Sequence, residues 1–315
     1  MGVSIRRRTK GLLAQLADRG YHARSIPVRL LPSLQAGIER AHRCGLVDEA
    51  FFQERLTGFH WSVPDCLPDA RSILVLAVPQ PQIRITFTRR SGPFSVIVPP
   101  TYLQAERIDR KMETVLEEVL AEQGYRIGRE MLPVKLLAVR SGLAKYGKNN
   151  ITYIEGLGSL YRLAAYYTDW PCPDDTWREI QMMEACRTCS ACLKICPTGA
   201  IDPKRFLLHA ERCLSYLNEK PGDVPFPDWV DPTWHNSLIG CMRCQIICPQ
   251  NRAVQDWTED GPTFSEDETS QLVQGVTSDH LSRETRGKLA SWDLLDMLDV
   301  LPRNLTALFN RQVES

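Results

Sequence analysis

Eight cysteines fall between Cys186 and Cys248, and their spacing suits the binding of iron–sulfur clusters. The first group follows the pattern Cys-x2-Cys-x2-Cys-x3-Cys-Pro, and the second ends in Cys-x2-Cys-x3-Cys-Pro. Three thiolates at this tight spacing can bind one cubane, whereas a fourth cysteine followed by proline ligates the other cluster. The eight thiolates are therefore sufficient for two sites of four ligands each.

The cross-over rule divides these cysteines between two [4Fe–4S] clusters. One cluster is predicted to bind Cys186, Cys189, Cys192 and Cys248. The other is predicted to bind Cys196, Cys213, Cys241 and Cys244. Because Cys213 stands apart from its run, a 27-residue insertion, 214–240, lies beside the second cluster and indicates that a larger partner domain must be accommodated.

Zinc is the alternative metal, because paired Cys-x2-Cys motifs also suit a tetrahedral site. A zinc site requires neither a proline after the last cysteine of each group nor three closely spaced cysteines in each of two groups. The pattern therefore favours iron–sulfur clusters. The other cysteines are isolated from this pattern, and they are predicted to be small buried hydrophobic residues rather than ligands. They are Cys44, Cys66 and Cys172.

The composition excludes several classes of protein. The 315 residues include 38 Lys and Arg against 38 Asp and Glu, which argues against a polybasic nucleic-acid binder. No stretch approaches the roughly 20 apolar residues that span a bilayer, so no membrane association is expected. The basic N-terminus is not followed by an apolar run, so we expect no secretory signal. A cytoplasmic location is therefore predicted. Clustered cysteines in that reducing compartment usually bind metals.

The elements that must position the cysteines are predicted to be mixed α/β (α+β). Apolar or alternating runs predict strands, which are 72–79, a hairpin of 83–87 with 94–98, and two adjacent strands at 151–154 and 160–167. Helical periodicity predicts helices within 34–59, at 108–120 and at 133–141. The first of these stretches is expected to break near Gly45, and the last is expected to end at Gly142 in a left-handed conformation.

The tail begins as an acidic segment and then takes helical periodicity. Ser265 and Glu268 have the spacing of a capping box. We therefore expect three consecutive parts: an α/β domain over 1–178, a double-cluster domain over 179–255 and a helical C-terminal segment over 256–315.

The motifs resemble those of epoxyqueuosine reductase, a cobalamin-dependent iron–sulfur enzyme of tRNA queuosine synthesis that is related to the reductive dehalogenases. The resemblance lies in the cysteine segments 185–201, 212–217 and 240–251, in Ser-Gly-Leu-Ala-Lys-Tyr-Gly-Lys-Asn at 141–149, and in Arg-Asn-Leu at 303–305. It covers the chain from about residue 106 to residue 310.

This resemblance implies a nitroreductase-like N-terminal domain that holds a base-off corrinoid, followed by a ferredoxin-like double-cluster module. Lys148 and Asn149 are candidates to contact the corrinoid amides or a phosphate, or alternatively to cap the helix and strand ends near the glycines. The implied partners are an electron donor such as a ferredoxin or flavodoxin, and a small-molecule substrate or a partner protein.

The chain departs from the family pattern at the proton donor. Gly128 occupies the position that matches the family's aspartate, and glycine cannot transfer a proton; Glu130 and Tyr146 are the neighbouring candidates. The neutral charge and the lack of the family's helical repeats disfavour a tRNA substrate. We expect an epoxyqueuosine reductase-like oxidoreductase with a different substrate. The alternatives are a non-catalytic electron carrier or corrinoid activator, and a true epoxyqueuosine reductase with a displaced donor.

Overall fold

The computed structural model describes residues 11–172 and 177–310. The first ten residues, on which the expectation about a secretory signal rests, lie outside this range. Within the described ranges, no helix combines the length and the apolar character needed to cross a bilayer.

Short strands alternate with helices in the first part of the described chain, whereas short helices predominate in the second part. The strands are β1 His22–Pro27, β2 Ser72–Pro79, β3 Gln82–Arg89, β4 Gly92–Val98, β5 Ile127–Gly128, β6 Lys145–Tyr146, β7 Thr152–Tyr153, β8 Tyr161–Thr168 and β9 Thr258–Phe264. The helices are α1 (11–18), α2 Leu31–Arg43, α3 Glu49–Arg55, α4 Ala105–Ala121, α5 Val134–Arg140, α6 Ala191–Ile195, α7 Leu214–Asn218, α8 Arg243–Ile246, α9 Glu266–Gln274, α10 Arg283–Ala290 and α11 Leu301–Asn310.

The chain divides into two compact units, and each is assembled from separated segments. The first unit contains the residues through Pro79, Glu106–Ser190 and Pro203–Leu208. The second unit contains Gln80–Ala105, Ala191–Asp202 and the residues from His209 onward. This division differs from the three consecutive parts expected from the sequence, because the β3–β4 hairpin pairs with β9 in the tail.

The first unit is built on a four-stranded sheet in the order β1-β2-β8-β5, with antiparallel neighbours throughout. Its central strand β2 is buried on both faces, which explains its continuous apolar sequence. Alternate residues of β2 and β8 enter two separate cores, and helices cover both faces. α2 and α5 contribute to one core, whereas α1 and α4 contribute to the other. The mixed α/β class expected from the sequence is confirmed here.

The second unit contains a three-stranded sheet in the order β4-β3-β9. β3 pairs with β4 as the predicted hairpin and runs parallel to β9. Apolar residues of these strands pack against α9, α10 and α11 in one core. The predicted capping box at the start of α9 is confirmed, since the Ser265 and Glu268 side chains each accept a hydrogen bond from the other residue's backbone amide.

Several local predictions are confirmed, and one pairing is wrong. The 34–59 segment forms α2 and α3 around Gly45, and Gly142 follows α5 with φ +73°. The segments 151–154 and 160–167, however, are not adjacent strands. β7 pairs with β6, whereas β8 lies between β2 and β5. The two segments meet only in a single antiparallel bridge between Ile154 and Gly158, and the pairing does not continue along them.

Candidate iron–sulfur centre

The first cysteine run begins on a short 3-10 turn, Glu184–Cys186, that is held by the β6 backbone. The Met183 amide donates to the Tyr146 carbonyl at 2.8 Å, and the Cys186 amide donates to the Met183 carbonyl at 3.0 Å. Cys186 is buried, whereas Cys189 is half-buried. The start of the run is therefore attached to the first unit through its backbone.

The loop from Gly147 to Asn150 makes further contacts with segments near this run. The Lys148 Nζ donates a hydrogen bond to the carbonyl oxygen of Cys189 at 2.7 Å. Asn150 donates from Nδ2 to the Phe206 carbonyl at 2.7 Å and accepts from the Leu208 amide at 2.5 Å. One loop thus binds both the cysteine run and the segment that follows the run in sequence.

The local sequence Gly-Lys-Asn-Asn is required by the shape of this loop. A Cβ at Gly147 would lie 2.6 Å from the Asn149 Oδ1 and 2.7 Å from a ring carbon of Tyr153, so only glycine fits. Asn150 has φ +55°, and asparagine tolerates this left-handed conformation better than most other residues do.

The two predicted corrinoid contacts both have partners inside the protein. Asn149 is buried; its Nδ2 donates to the Tyr153 hydroxyl at 3.0 Å and its Oδ1 accepts from the Ile151 amide at 3.3 Å. Lys148 is bound to Cys189, as described above. The observed Asn149 contacts match the capping role that was the alternative in the sequence. The corrinoid contact itself stays a prediction.

Three of the four cysteines predicted for the second cluster are near enough to interact electrostatically. The thiol of Cys241 interacts electrostatically with those of Cys213 and Cys196, and burial raises its pKa to about 12. Burial also raises the pKa of the Cys213 thiol, and an electrostatic interaction with Cys196 acts in the same direction. Cys244 lies on α8, and α8 packs against α6, the helix that Cys196 follows directly. These soft thiol donors suit an iron–sulfur cluster, which binds them as thiolates.

The C-terminal helix α11 holds the backbone on both sides of this group. Asn304 is buried, and its Nδ2 donates to the carbonyls of Asn218 and Leu238 at 3.0 Å each. Asn218 in turn donates to the Gly240 carbonyl at 2.7 Å. Cys213 immediately precedes α7, which contains Asn218, and Cys241 follows Gly240, so these bonds fix the spacing of the two ligand segments.

Arg303 extends the same attachment to the 214–240 insertion. Its guanidinium donates to the carbonyls of Leu217, Asn218, Pro221 and Val224 at 2.7–3.3 Å. Sequence reasoning recognised the Arg-Asn-Leu segment only as a resemblance and gave no role to these side chains. The available signal was an arginine and an asparagine side by side in a helix that is mostly apolar.

A buried histidine lies beside this insertion. His235 is 2% exposed, and burial lowers its pKa to about 4, with the positive charges of Arg303 and Arg243 acting in the same direction. It is therefore neutral at pH 7 and packs against the ring of Phe226 at a centroid distance of 4.4 Å.

The position matched to the family's aspartate has no room for a side chain. Gly128 lies in β5, and a Cβ there would stand 2.9 Å from the Pro64 Cγ and 3.4 Å from the Leu67 Cβ. Two residues later, the Glu130 carboxylate contacts the His60 Nδ1. Glu130 also lies near the Tyr167 hydroxyl, whose pKa is raised to about 12, mainly by burial. Tyr146, the other candidate donor, packs edge-on against Phe206 at 5.5 Å.

The three cysteines outside the pattern do not share one environment. Cys172 is half-buried and lies 3.3 Å from the Ser25 hydroxyl, whereas Cys44 and Cys66 are exposed, so the expectation that all three are buried is wrong. Within the ranges that the structure describes, no three His, Cys, Asp or Glu side chains converge tightly enough to hold a single metal ion.

Comparison with known families supports the iron–sulfur interpretation. Residues 185–251 match the family described as the 4Fe-4S double cluster binding domain. This range contains all eight cysteines of the pattern, so the expected double-cluster domain is confirmed. The ligand assignment within it stays a prediction.

The resemblance to epoxyqueuosine reductases is also confirmed. The chain is 38% identical over 152 residues to the Pseudomonas aeruginosa epoxyqueuosine reductase, a match that covers 46% of this chain and 40% of that protein. The match thus spans less than half of the relative's length. The Escherichia coli K12 enzyme of the same name is 34% identical over 154 residues, covering 48% of this chain and 39% of that protein.

The fold is that of solved epoxyqueuosine reductases. A structure crystallised with an epoxyqueuosine-modified tRNA-Tyr stem loop superposes with a TM-score of 0.65 at 20% identity, covering 98% of this chain and 82% of that chain. At this identity the superposition establishes the fold alone.

Proposed function

We propose that this chain is a cytoplasmic iron–sulfur reductase of the epoxyqueuosine reductase type that binds two [4Fe–4S] clusters and a cobalamin. The observation that carries the proposal is the match of residues 185–251 to the double-cluster domain, a range that contains all eight cysteines of the pattern. When bound, such clusters carry single electrons and cobalamin supplies a low-valent cobalt for a reduction.

The chain's own contribution is to hold the ligands in place. Asn304 and Asn218 fix the backbone beside Cys213 and Cys241. The helices α6 and α8 pack against each other, and each of the two Cys-Pro segments follows one of them in the chain. The Gly147–Asn150 loop does the same for the start of the first run. Rigid support of this kind is what a metal site needs in addition to its direct ligands.

Support for the cobalamin comes from the similarity to epoxyqueuosine reductases. The two side chains predicted to contact it, Lys148 and Asn149, are hydrogen-bonded to other parts of the protein.

We further propose that the substrate differs from tRNA-bound epoxyqueuosine and is a small molecule or a partner protein. Gly128 supplies no proton, and the lack of room beside Pro64 excludes an aspartate there without movement of its neighbours. The formal net charge of zero also lacks the cationic excess that favours a polyanion such as tRNA. A small electron-carrier protein, such as a ferredoxin or flavodoxin, is the proposed source of electrons.

The contact between His60 and Glu130 favours one alternative, a true epoxyqueuosine reductase with a displaced proton donor. Glu130 lies two residues after Gly128 and contacts His60. The segment of His60 is attached to the same stretch of chain, because the His60 amide donates to the Met131 carbonyl at 2.9 Å. A carboxylate paired with an imidazole is a common arrangement for proton transfer. The missing side chain at Gly128 equally favours the other alternative, an electron carrier without a substrate of its own.

Anaerobic reconstitution tests the main proposal. The purified chain would be incubated with iron, sulfide and hydroxocobalamin, desalted, and assayed for metal, sulfide and corrinoid. We expect about eight irons per chain, four for each cluster, and co-elution of cobalamin. Binding of the irons without cobalamin would refute the corrinoid part, and binding of zinc in place of iron would refute the whole.

Complementation separates the substrate alternatives. Expression in a strain that lacks epoxyqueuosine reductase is expected to leave tRNA queuosine absent. Restored queuosine would support the displaced-donor alternative, and the Glu130→Gln variant should then lose the restored activity. The electron-carrier alternative instead predicts a reducible protein that turns over only when a second protein is supplied.

A further inference from the structure

We propose that Lys148 raises the reduction potential of the cluster bound by the first cysteine run. This inference rests on the proposed clusters but concerns a property that the proposed function does not assign. It gives Lys148 an electrostatic role that is separate from corrinoid binding.

The contact that supports this role is direct. The Lys148 ammonium donates to the backbone carbonyl of Cys189 at 2.7 Å, and Cys189 is a predicted ligand in the middle of the run. The lysine is half-buried, so that solvent and salt screen its charge less than they would at the surface. Its positive charge is therefore held within one residue of a cluster thiolate.

The sign of the effect follows from charge. A [4Fe–4S] cluster that accepts one electron gains one unit of negative charge, while its thiolate ligands remain bound. A nearby ammonium stabilises this more negative state relative to the oxidised state, and the potential rises. Charge and hydrogen bonding near the sulfurs are among the main influences on such potentials.

Other contacts already hold the loop, so the lysine is not needed for its shape. Asn150 is bound to Phe206 and Leu208, and Asn149 is bound to Tyr153 and Ile151. These bonds involve no charged group, whereas Lys148 places a full charge on the one carbonyl that belongs to a ligand. A purely structural contact would have been satisfied by any neutral donor.

The test is an EPR-monitored redox titration of the anaerobically reconstituted chain with dithionite. Lys148→Met keeps the apolar stem and removes the charge, whereas Lys148→Arg keeps the charge. Lys145→Met removes a similar charge from an exposed position in β6, three residues earlier. Iron and sulfide content would be measured in each variant before titration.

For Lys148→Met we expect one of the two potentials to become more negative, with the other unchanged. At a fixed potential the ratio of reduced to oxidised cluster should fall on the order of tenfold, which is about 59 mV for a one-electron couple. Lys148→Arg should stay close to the wild-type potential, and Lys145→Met should shift it much less than Lys148→Met does.

The outcomes separate the inference from the proposed function. If the wild-type chain binds no iron–sulfur clusters, the proposed function fails. If clusters form and both potentials are unchanged in Lys148→Met, or if Lys145→Met shifts a potential as much, the inference fails. Should Lys148→Met lose its clusters, the Lys148→Gln variant is titrated in its place, and an unchanged potential there refutes the inference equally.

Discussion

The two groups of cysteines are held by different kinds of contact. The start of the first run is attached to a loop of the first unit, and one contact places the Lys148 ammonium on a ligand's carbonyl. The group of Cys196, Cys213 and Cys241 lies in the second unit, where burial raises the pKa of two thiols and the amide of Asn304 fixes the flanking backbone.

This difference suggests two functions for the surroundings. At the first run we expect the Lys148 cation to change the energy of an added electron, whereas at the second set we expect the amides of Asn304 and Asn218 mainly to fix geometry. Arg243 also places a positive charge near the Cys241 thiol, but its guanidinium bonds to the carbonyls of Thr233 and Trp234 rather than to the carbonyl of a ligand. Arg303 likewise bonds to carbonyls of the insertion. The comparison predicts that substitutions at the two sites change different observables.

The largest effect is expected from removing a ligand of the second set. Cys196→Ser should lose the cluster that also involves Cys213 and Cys241, so that iron per chain falls by about half. The measurement is iron and sulfide content after anaerobic reconstitution, combined with EPR of the reduced protein.

Cys44→Ser is the matched control, because Cys44 is exposed and lies outside the pattern. It should retain both clusters. Loss in Cys196→Ser of the EPR signal whose potential responds to Lys148→Met would show that Cys196 belongs to the first cluster, and the assignment would be wrong.

A smaller effect is expected from Asn304→Ala. This change removes two hydrogen bonds to carbonyls from a side chain that is 1% exposed, which should lower the free energy of unfolding by about 2–3 kcal/mol. Urea denaturation measures the free energy of unfolding. EPR spectra recorded at increasing urea concentrations should show that the second cluster is lost at a lower concentration than the first.

Thr306→Ala serves as the control on the same helix. Its hydroxyl is exposed and donates only to the Pro302 carbonyl within α11, so the change should be under about 0.5 kcal/mol. Equal loss of both clusters in Asn304→Ala would contradict a specific role for α11 at the second set.

The smallest effect concerns pH and His235. Its folded pKa of about 4 lies below the ordinary value of about 6.5, so the unfolded chain binds the proton more readily. Stability contributed by the neutral imidazole is therefore present above pH 6.5 and is lost as the pH falls toward 4. Between pH 7 and pH 5 the loss should be about 2 kcal/mol.

Urea unfolding of the wild type and of His235→Gln at both pH values isolates this contribution. The variant should lose about 2 kcal/mol less than the wild type over the same interval, while His280→Gln, at an exposed histidine, should behave as the wild type does. Identical pH dependence in all three proteins would mean that His235 is not buried in its neutral form.

Much of the local structure could be predicted from the sequence because it depends on local patterns. The continuous apolar run of β2, the periodicity of α4 and the capping box of α9 each follow from residues close together in the chain. The cysteine spacing likewise identified the double-cluster domain, because ligand spacing is a local property of the motif.

The long-range pairings were beyond this reasoning. β3 pairs with β9 about 175 residues later, and no local signal in the acidic start of the tail indicates a strand there. The roles of Arg303 and Asn304 were missed for the same reason, since their partners are backbone carbonyls, which leave no trace in side-chain types. Gly128 could be recognised as a departure, but the closeness of Pro64 required the structure.

Mössbauer spectroscopy of the chain reconstituted anaerobically with 57Fe tests the central claim most directly. It identifies the cluster type and the fraction of iron in each form, and the iron-to-protein ratio of the same sample gives the number of clusters per chain. We expect all bound iron in two [4Fe–4S] clusters per chain, with the second cluster absent from Cys196→Ser and both present in Cys44→Ser. A single cluster in the wild type, or isolated iron ions held by the cysteines, would contradict the account.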